Sequence, residues 1–290
     1  MKYVFIEKHR NEFTVARMAD VLGVSESGYY KWHNRLHGPL TEHEKKDLDL
    51  TREINDIYWG SHGIYGSRKV TMILRKRHDT PINHKKVERI MSESCLKSKV
   101  HKRYICTTDS NHSEPVADNL LKRDFTATAP NEKFVSDTTE KDTKEGKIYV
   151  AAILDLYGRM PVGLSVSRHN DTQLVLGALK DMVGRGYGRE GSIVHSDRGS
   201  TYASKEYRAE LEKDHFICSM SGKGQCWDNA PMESFWGKLK EEWLDDQYDT
   251  IEEAKKDVYE YVWAFYPRKR PHASDDYMTP ADYYSQKDAI

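Results

Sequence analysis

The 290-residue chain has no run approaching eighteen apolar residues, so no segment is long enough to cross a bilayer as a helix. Its opening, "MKYVFIEKHRNEF", returns to charge after a few apolar positions, and no secretory leader is expected. Cysteine is scarce. Cys95, Cys106, Cys218 and Cys226 stand apart with no C-x-x-C pair, which argues against a disulfide framework and against a zinc ribbon. There is no internal repeat and no sustained heptad run, which removes solenoids and long coiled coils. Net charge is nearly absent at −1 and by itself selects no partner.

The charge that is present is unevenly placed. Residues 1–110 hold 21 Lys and Arg against 14 Asp and Glu, whereas 111–290 hold 24 against 32. A basic front suits phosphates and an acidic rear suits cations, although skewed solvated faces would give the same counts. With 38% hydrophobic residues the chain can bury a sizeable core, as one large or two to three ordinary domains.

Residues 14–32, "TVARMADVLGVSESGYYKW", read as helix, tight turn, helix, with Ser25 capping the second. Ala19, Gly23 and Tyr29 have the offsets of a helix-turn-helix, in which small residues let two helices approach; paired helices of this kind also serve as scaffolding. Two basic amphipathic helices are predicted next, in "HGIYGSRKVTMILRKR" and "INHKKVERIMSESCLKSK". They present Arg68, Lys69, Lys85, Lys86 and Arg89 as candidate DNA-backbone contacts. Residues 107–129 read as an extended linker.

After residue 130 the period shortens. "KFVSDTT", "KIYVAAILDLYGR" and "PVGLSVS" predict three antiparallel strands, followed by a helix over 171–185. Then come the strand "SIVHS", a helix, the strand "FICSM", a glycine-bearing loop expected to be mobile, and two long helices. The order describes a mixed five-stranded sheet with helices on its faces.

Asp137 falls on the first strand, Asp197 just past the fourth, and Glu233 at the start of the helix after the glycine loop. Singly, each has an ordinary reading: a surface acid, a cap for its own turn, and a first-turn helix residue favoured by the dipole. If the first and fourth strands pair in parallel, the three converge, and a divalent cation relieves their repulsion. Oxygen donors suit Mg²⁺, with Mn²⁺ as a substitute, and two ions would serve an in-line phosphodiester substitution. Asp155, at the end of the second strand, is the rival acid and is expected to be structural. Asp228 and Asn229 are expected to shape the helix start, and His195 is read as a strand-end residue.

Thirty-five residues separate Asp197 from Glu233. The words "HSDRGSTY", "SMSGKGQCWDNAPMESFWGKLKEEW" and "YPRKRPHASDDYMTPADYY" resemble the integrase core of insertion sequence 3 family transposases, second reading frame. "IYGSRKV" and "INHKKVERIM" resemble the helical region that precedes that core, so the likeness spans nearly the whole chain. It implies a ribonuclease H-like α/β fold preceded by small all-α DNA-binding regions, and a DDE triad on Asp137, Asp197 and Glu233. It also implies metal-dependent cleavage and strand transfer at the transposon ends. Lys240 holds the family's basic position, two helical turns beyond Glu233. Phe134 and Thr138 depart from the family's usual tryptophan and isoleucine, both being packing changes beside the triad.

The boundaries expected are helix-turn-helix 1–38, basic helical region 39–106, linker 107–129, catalytic core 130–248 and C-terminal helix and tail 249–290. The expected partners are double-stranded DNA, as transposon ends and target, other subunits in an oligomer on that DNA, and the first-frame product or a fusion with it. No membrane is involved, and the place of action is the bacterial cytoplasm, at the nucleoid when bound. A non-catalytic DNA-binding regulator and a metal-dependent nuclease are the alternatives.

Overall fold

The computed structural model describes residues 1–78, 81–99, 116–245 and 247–286. They divide into two compact units, Met1–Ile57 and Tyr58–Ile290. Among the described residues no helix is long and apolar enough to cross a membrane. Cys95 and Cys218 are free thiols, and Cys106 lies outside the described residues.

The first unit holds α1 (Lys2–His9), α2 (Val15–Leu22), α3 (Glu26–His37) and most of α4 (Glu42–Gly60). Gly23 ends α2 in the left-handed conformation at φ 61°, and Ser25 caps α3 by accepting the Gly28 N–H at 3.0 Å. Ile6, Met18, Ala19 and Tyr29 form its small core. This is the expected helix, turn and helix, with Ala19 buried at the crossing.

In the second unit α5 (Ser67–His78) and α6 (His84–Glu93) each bury one apolar stripe, Val70 and Leu74 in the first and Val87, Ile90 and Met91 in the second. The sheet follows: β1 (Lys133–Thr143), β2 (Gly146–Asp155), β3 (Met160–Ser167), β4 (Ile193–Ser196) and β5 (Ile217–Met220). Its order is β3-β2-β1-β4-β5. β1, β2 and β3 are antiparallel neighbours, while β4 runs parallel to both β1 and β5. The first hairpin closes on Lys144 and Glu145, between the paired Thr143 and Gly146. The mixed five-stranded sheet is therefore as expected.

One face of the sheet carries α7 (Thr172–Gly184), α8 (Ser200–Ala203) and α9 (Lys205–Lys213). Phe134, Ile153, Val162, Val194, Leu179 and Met182 belong to the core they enclose. The opposite side receives α10 (Ala230–Glu242) on β1 and α11 (Ile251–Glu260) on β2. Residues 116–129 do not hang free of the core. Leu121 is buried, the Leu120 N–H donates to Ser219 Oγ at 2.9 Å, and the Met220 N–H donates to the Asp118 carbonyl at 3.2 Å.

Glycine sets how closely α7 approaches the sheet. A Cβ at Gly163 of β3 would lie 2.4 Å from the Ala178 carbonyl oxygen, and one at Gly177 would lie 2.6 Å from Ser165 Oγ. Gly163 stands beside a register shift, with Ile153 opposite Gly163 and Leu154 opposite Pro161, so the strand already bends there. Gly163→Ala is predicted to destabilise the protein by about 1–3 kcal/mol, because helix backbone must retreat. Urea unfolding measures this, and an unchanged midpoint would mean that α7 is free to shift.

Candidate active site

β1 alternates faces. Phe134 and Ser136 point into the α7–α9 layer, Ser136 Oγ meeting Tyr202 Oη at 2.9 Å, so Asp137 faces the other way, toward α10. The parallel register decides what lies beside it. Val135 is paired with His195, and two residues further on the strands carry Asp137 and Asp197 at equivalent positions. Asp197 Oδ1 accepts the Gly199 N–H at 2.9 Å, turning the chain immediately after β4. A Cβ at Gly199 would come within 3.1 Å of that oxygen, so glycine suits this close turn. The cap reading of Asp197 is thus realised, and it leaves the carboxylate held at the strand's mouth.

Glu233 lies in the first turn of α10, whose Met232, Phe235, Trp236 and Leu239 are buried. Burial, and then the negative charges of Asp197 and Glu233, push the Asp137 carboxyl well above the usual carboxylate range. The Thr138 N–H and the Trp236 indole oppose that rise. Among the described residues, the set of three whose ligand atoms all lie within 4.8 Å of one another is instead Glu7, His33 and His37. There a guanidinium is already present, with Arg10 Nη1 3.0 Å from His33 Nε2 and 3.3 Å from Glu7 Oε1. The three acids, two on the β1–β4 pair and one on α10, stand close enough for Asp197 and Glu233 to raise the pKa of Asp137. Their all-carboxylate chemistry fits hard divalent cations such as Mg²⁺.

Asp228 and Asn229 shape the start of α10 as expected, but not through a side-chain cap. Asn229 precedes the helix but makes no side-chain cap bond. Its Nδ2 donates instead to the Ser136 carbonyl at 3.0 Å, next to Asp137. Asp228 accepts from Arg123 Nε at 2.7 Å, Asn119 Nδ2 at 2.8 Å and the Gly222 N–H at 2.9 Å. The pair fastens the helix start to β1 and to residues 119–123. The sequence reading missed Arg123 and Asn119 altogether, since nothing local marks an anchor more than a hundred residues away.

His195 is fully buried, its Nδ1 2.8 Å from Ser219 Oγ and its Nε2 3.2 Å from Ser221 Oγ. Burial pulls its pKa down to about 4, so the ring is neutral at pH 7. Lys240 is largely exposed, yet partial burial of its ammonium lowers its pKa, against the charges of Glu140 and Asp137, which favour its charged form. Of the front-region cations, Arg68, Lys85 and Arg89 are exposed and Lys86 is half-buried, with Arg89 also meeting Glu93 at 3.0 Å. Lys69 differs. It lies 3.8 Å from Glu242 and over the Tyr65 ring, beside the buried Arg270–Glu242 pair, and burial lowers its pKa to about 8.

Family models match the chain as "Integrase core domain" over residues 127–226 and again over 216–280. An "HTH-like domain" model matches residues 44–104, the stretch containing α5 and α6 rather than the segment 1–38. The described sheet and these matches define a ribonuclease H-like integrase core, the class of the polynucleotidyl transferases, behind a helical DNA-binding region. Transposase InsF for insertion sequence IS3A of Escherichia coli is 34% identical over 98% of both chains. The insertion element IS600 31 kDa protein of Shigella sonnei is 37% identical over 91% of this chain and 96% of its own. The chain belongs to the insertion sequence 3 family of transposases. Among solved structures, the HTLV-2 integrase catalytic core domain in complex with magnesium aligns at TM-score 0.43 and 13% identity, covering 55% of this chain and 99% of that one.

Asp155 is fully buried, and its carboxylate accepts the Asn131 and Tyr157 N–H groups and the Tyr284 hydroxyl at 2.7–2.9 Å. Burial nonetheless raises its pKa to about 6. Between about pH 4 and pH 6 the folded chain therefore holds a proton that the unfolded chain has lost, so this group's contribution to stability falls as pH rises through that window, by roughly 3 kcal/mol in all. Asp155→Asn is predicted to remove that slope. Urea unfolding from pH 4.5 to 7 checks it, and parallel curves for parent and variant would contradict the assignment.

Proposed function

We propose that this chain is the catalytic subunit of a DNA transposase, cleaving a phosphodiester at insertion-sequence ends and joining the freed strand to target DNA. The observation that carries the reading is the equivalent placement of Asp137 and Asp197 on adjacent parallel strands, with Glu233 opposite on a helix pinned beside Asp137. Bound Mg²⁺ or Mn²⁺, in two positions, would activate the attacking oxygen and neutralise charge on the leaving oxygen. The protein's own part is to hold its ligands still. Asp197 is oriented by the Gly199 N–H, Asp137 by its strand, and Glu233 by the Asn229–Ser136 bond at the start of its helix. His195, neutral and enclosed by two serine hydroxyls, supports β4 without taking a proton in the reaction.

Lys240 is assigned to a phosphate oxygen near the reacting strand. Arg68, Lys85, Lys86 and Arg89 are assigned to the DNA backbone on α5 and α6, while Lys69 instead ties α5 to the end of α10. The boundaries 1–38, 39–106, 107–129, 130–248 and 249–290 are proposed as helix-turn-helix, basic helical region, a connecting segment whose residues 116–129 pack on the core, catalytic core and tail. The working form is an oligomer on paired DNA ends, in the bacterial cytoplasm, in company with the first-frame product or fused to it.

Asp197→Asn and Glu233→Gln are each predicted to reduce strand cleavage and joining by at least about a thousandfold in Mg²⁺ or Mn²⁺, with end binding within a few-fold of the parent. Lys240→Ala is predicted to lose roughly tenfold, the value of one charge-assisted phosphate contact. Gel-resolved products from duplexes carrying the element's terminal repeats measure all three. A parent that binds these ends but never cleaves, even when fused to the upstream frame, would establish the regulatory reading; cleavage without joining would establish a nuclease.

A further inference from the structure

Between the anchors Asp228 and Asn229 on one side and Gly222 on the other, one large side chain points into solvent. Trp227 is 66% exposed, while its neighbour Asp228 is 4% exposed and Asn229 is 5% exposed. An indole carries a large apolar area that is usually covered, and here the backbone beneath it is held by three bonds to Asp228 and by Asn229 on the Ser136 carbonyl. Trp227 is thus mounted on a fixed base. Its Cα lies within two peptide units, about 7 Å or less, of the residue bonded beside Asp137.

Three cationic side chains lie on this loop or against it, one of them, Arg123, paired with Asp228 at 2.7 Å. Arg123 also donates through Nη2 to Gln225 Oε1 at 2.7 Å while its side chain remains half exposed, Lys223 is exposed between the two glycines, and Arg198 Nε donates to the Ser221 carbonyl. Exposed aromatic faces set among Arg and Lys are what single-stranded nucleic acid uses, since every base presents a π-face and every linkage a phosphate. A base inside a duplex has both faces covered by its stack, so only an unpaired base is open to the indole.

We infer that Trp227 is a stacking platform for an unpaired nucleobase next to the phosphodiester held at the carboxylates. This rests on the transposase reading proposed above. The platform holds the strand end in register with Asp137 and Asp197, and one base–indole stack is worth about a 5- to 150-fold factor in engagement of the end.

The test uses the full chain and terminal-repeat duplexes with 2-aminopurine at the nucleotide on either side of the cleavage position, first with the bases paired and then with the end left unpaired. The parent and Trp227→Phe are expected to quench the fluorescence of one of these positions. Trp227→Ala is expected to lose the quenching and to bind the unpaired end about 5- to 150-fold more weakly by anisotropy, with binding to an internal duplex of the same length unchanged. No quenching by the parent, or equal quenching and binding by Trp227→Ala, overturns the inference and leaves the indole to a protein partner. Because the residue is exposed, Trp227→Ala is expected to keep the parent's melting temperature. Failure of the transposase reading would show separately, as Asp197→Asn cleaving as well as the parent, whatever Trp227 does.

Discussion

Like charges at equivalent positions of neighbouring parallel strands repel, and a fold that places them there must hold them against that force. In this protein the constraint falls on the β1–β4 pair, which carries Asp137 and Asp197 two residues beyond its last matched residues, Val135 and His195. The strands resist separation because their inward residues, Phe134 and Val194, are buried in the core beneath α7, α8 and α9. The repulsion is instead stored in the Asp137 carboxyl, whose tendency to hold a proton is raised by burial and by its two acidic neighbours. The apolar layer behind the pair keeps the two acids from relaxing apart, which is what the proposed cation site requires.

The third acid is held in a different way. Glu233 arrives on a helix whose start is bonded to the backbone beside Asp137 and whose end is locked by the bidentate Arg270–Glu242 pair, at 2.6 and 2.7 Å with both side chains nearly inaccessible. Breaking one partner of such a buried pair leaves a charge without its counterion, which is far more costly than the pair is stabilising. Tyr65 adds a contact from the helical region, donating to the Lys269 carbonyl at 2.6 Å. The C-terminal segment also reaches the far end of the sheet, where Tyr284 bonds Asp155. The residues "YPRKRPH" and "PADYY" thus act as clasps on the helix and the sheet that carry the acids.

Much of this was legible beforehand because it is local. The near-continuous apolar run in "KIYVAAILD" marks a buried strand, Ala19 and Gly23 mark a tight helical crossing, and "IVHSDRGS" marks a strand that ends on an acid and turns on glycine. Other features were hidden by the same logic. Nothing around Asp228 distinguishes a helix-start residue from the hub of a bond to Arg123, and nothing in "GSRKV" says that Lys69 turns inward while Arg68 stays in water. Both outcomes depend on residues more than a hundred positions away. The helix-turn-helix offsets at the front were equally local, yet the family match to an HTH-like domain falls on the stretch of α5 and α6, whose basic periodicity marked two amphipathic helices with candidate backbone contacts.

The sequence by itself determined the element types, their order and the three candidate acids, because strand alternation, helix periodicity and turn chemistry are properties of a few consecutive residues. It also carried the family, through words spread along nearly the whole chain. Tertiary structure alone decided which acids share a site. Asp137, Asp155 and Asp197 all stand on or just past strands, and pairing register with side-chain facing sends Asp137 and Asp197 to one place while burying Asp155 among two N–H groups and a tyrosine hydroxyl. Register is a relation between distant segments, set by how a whole core packs, and no short stretch of residues contains it.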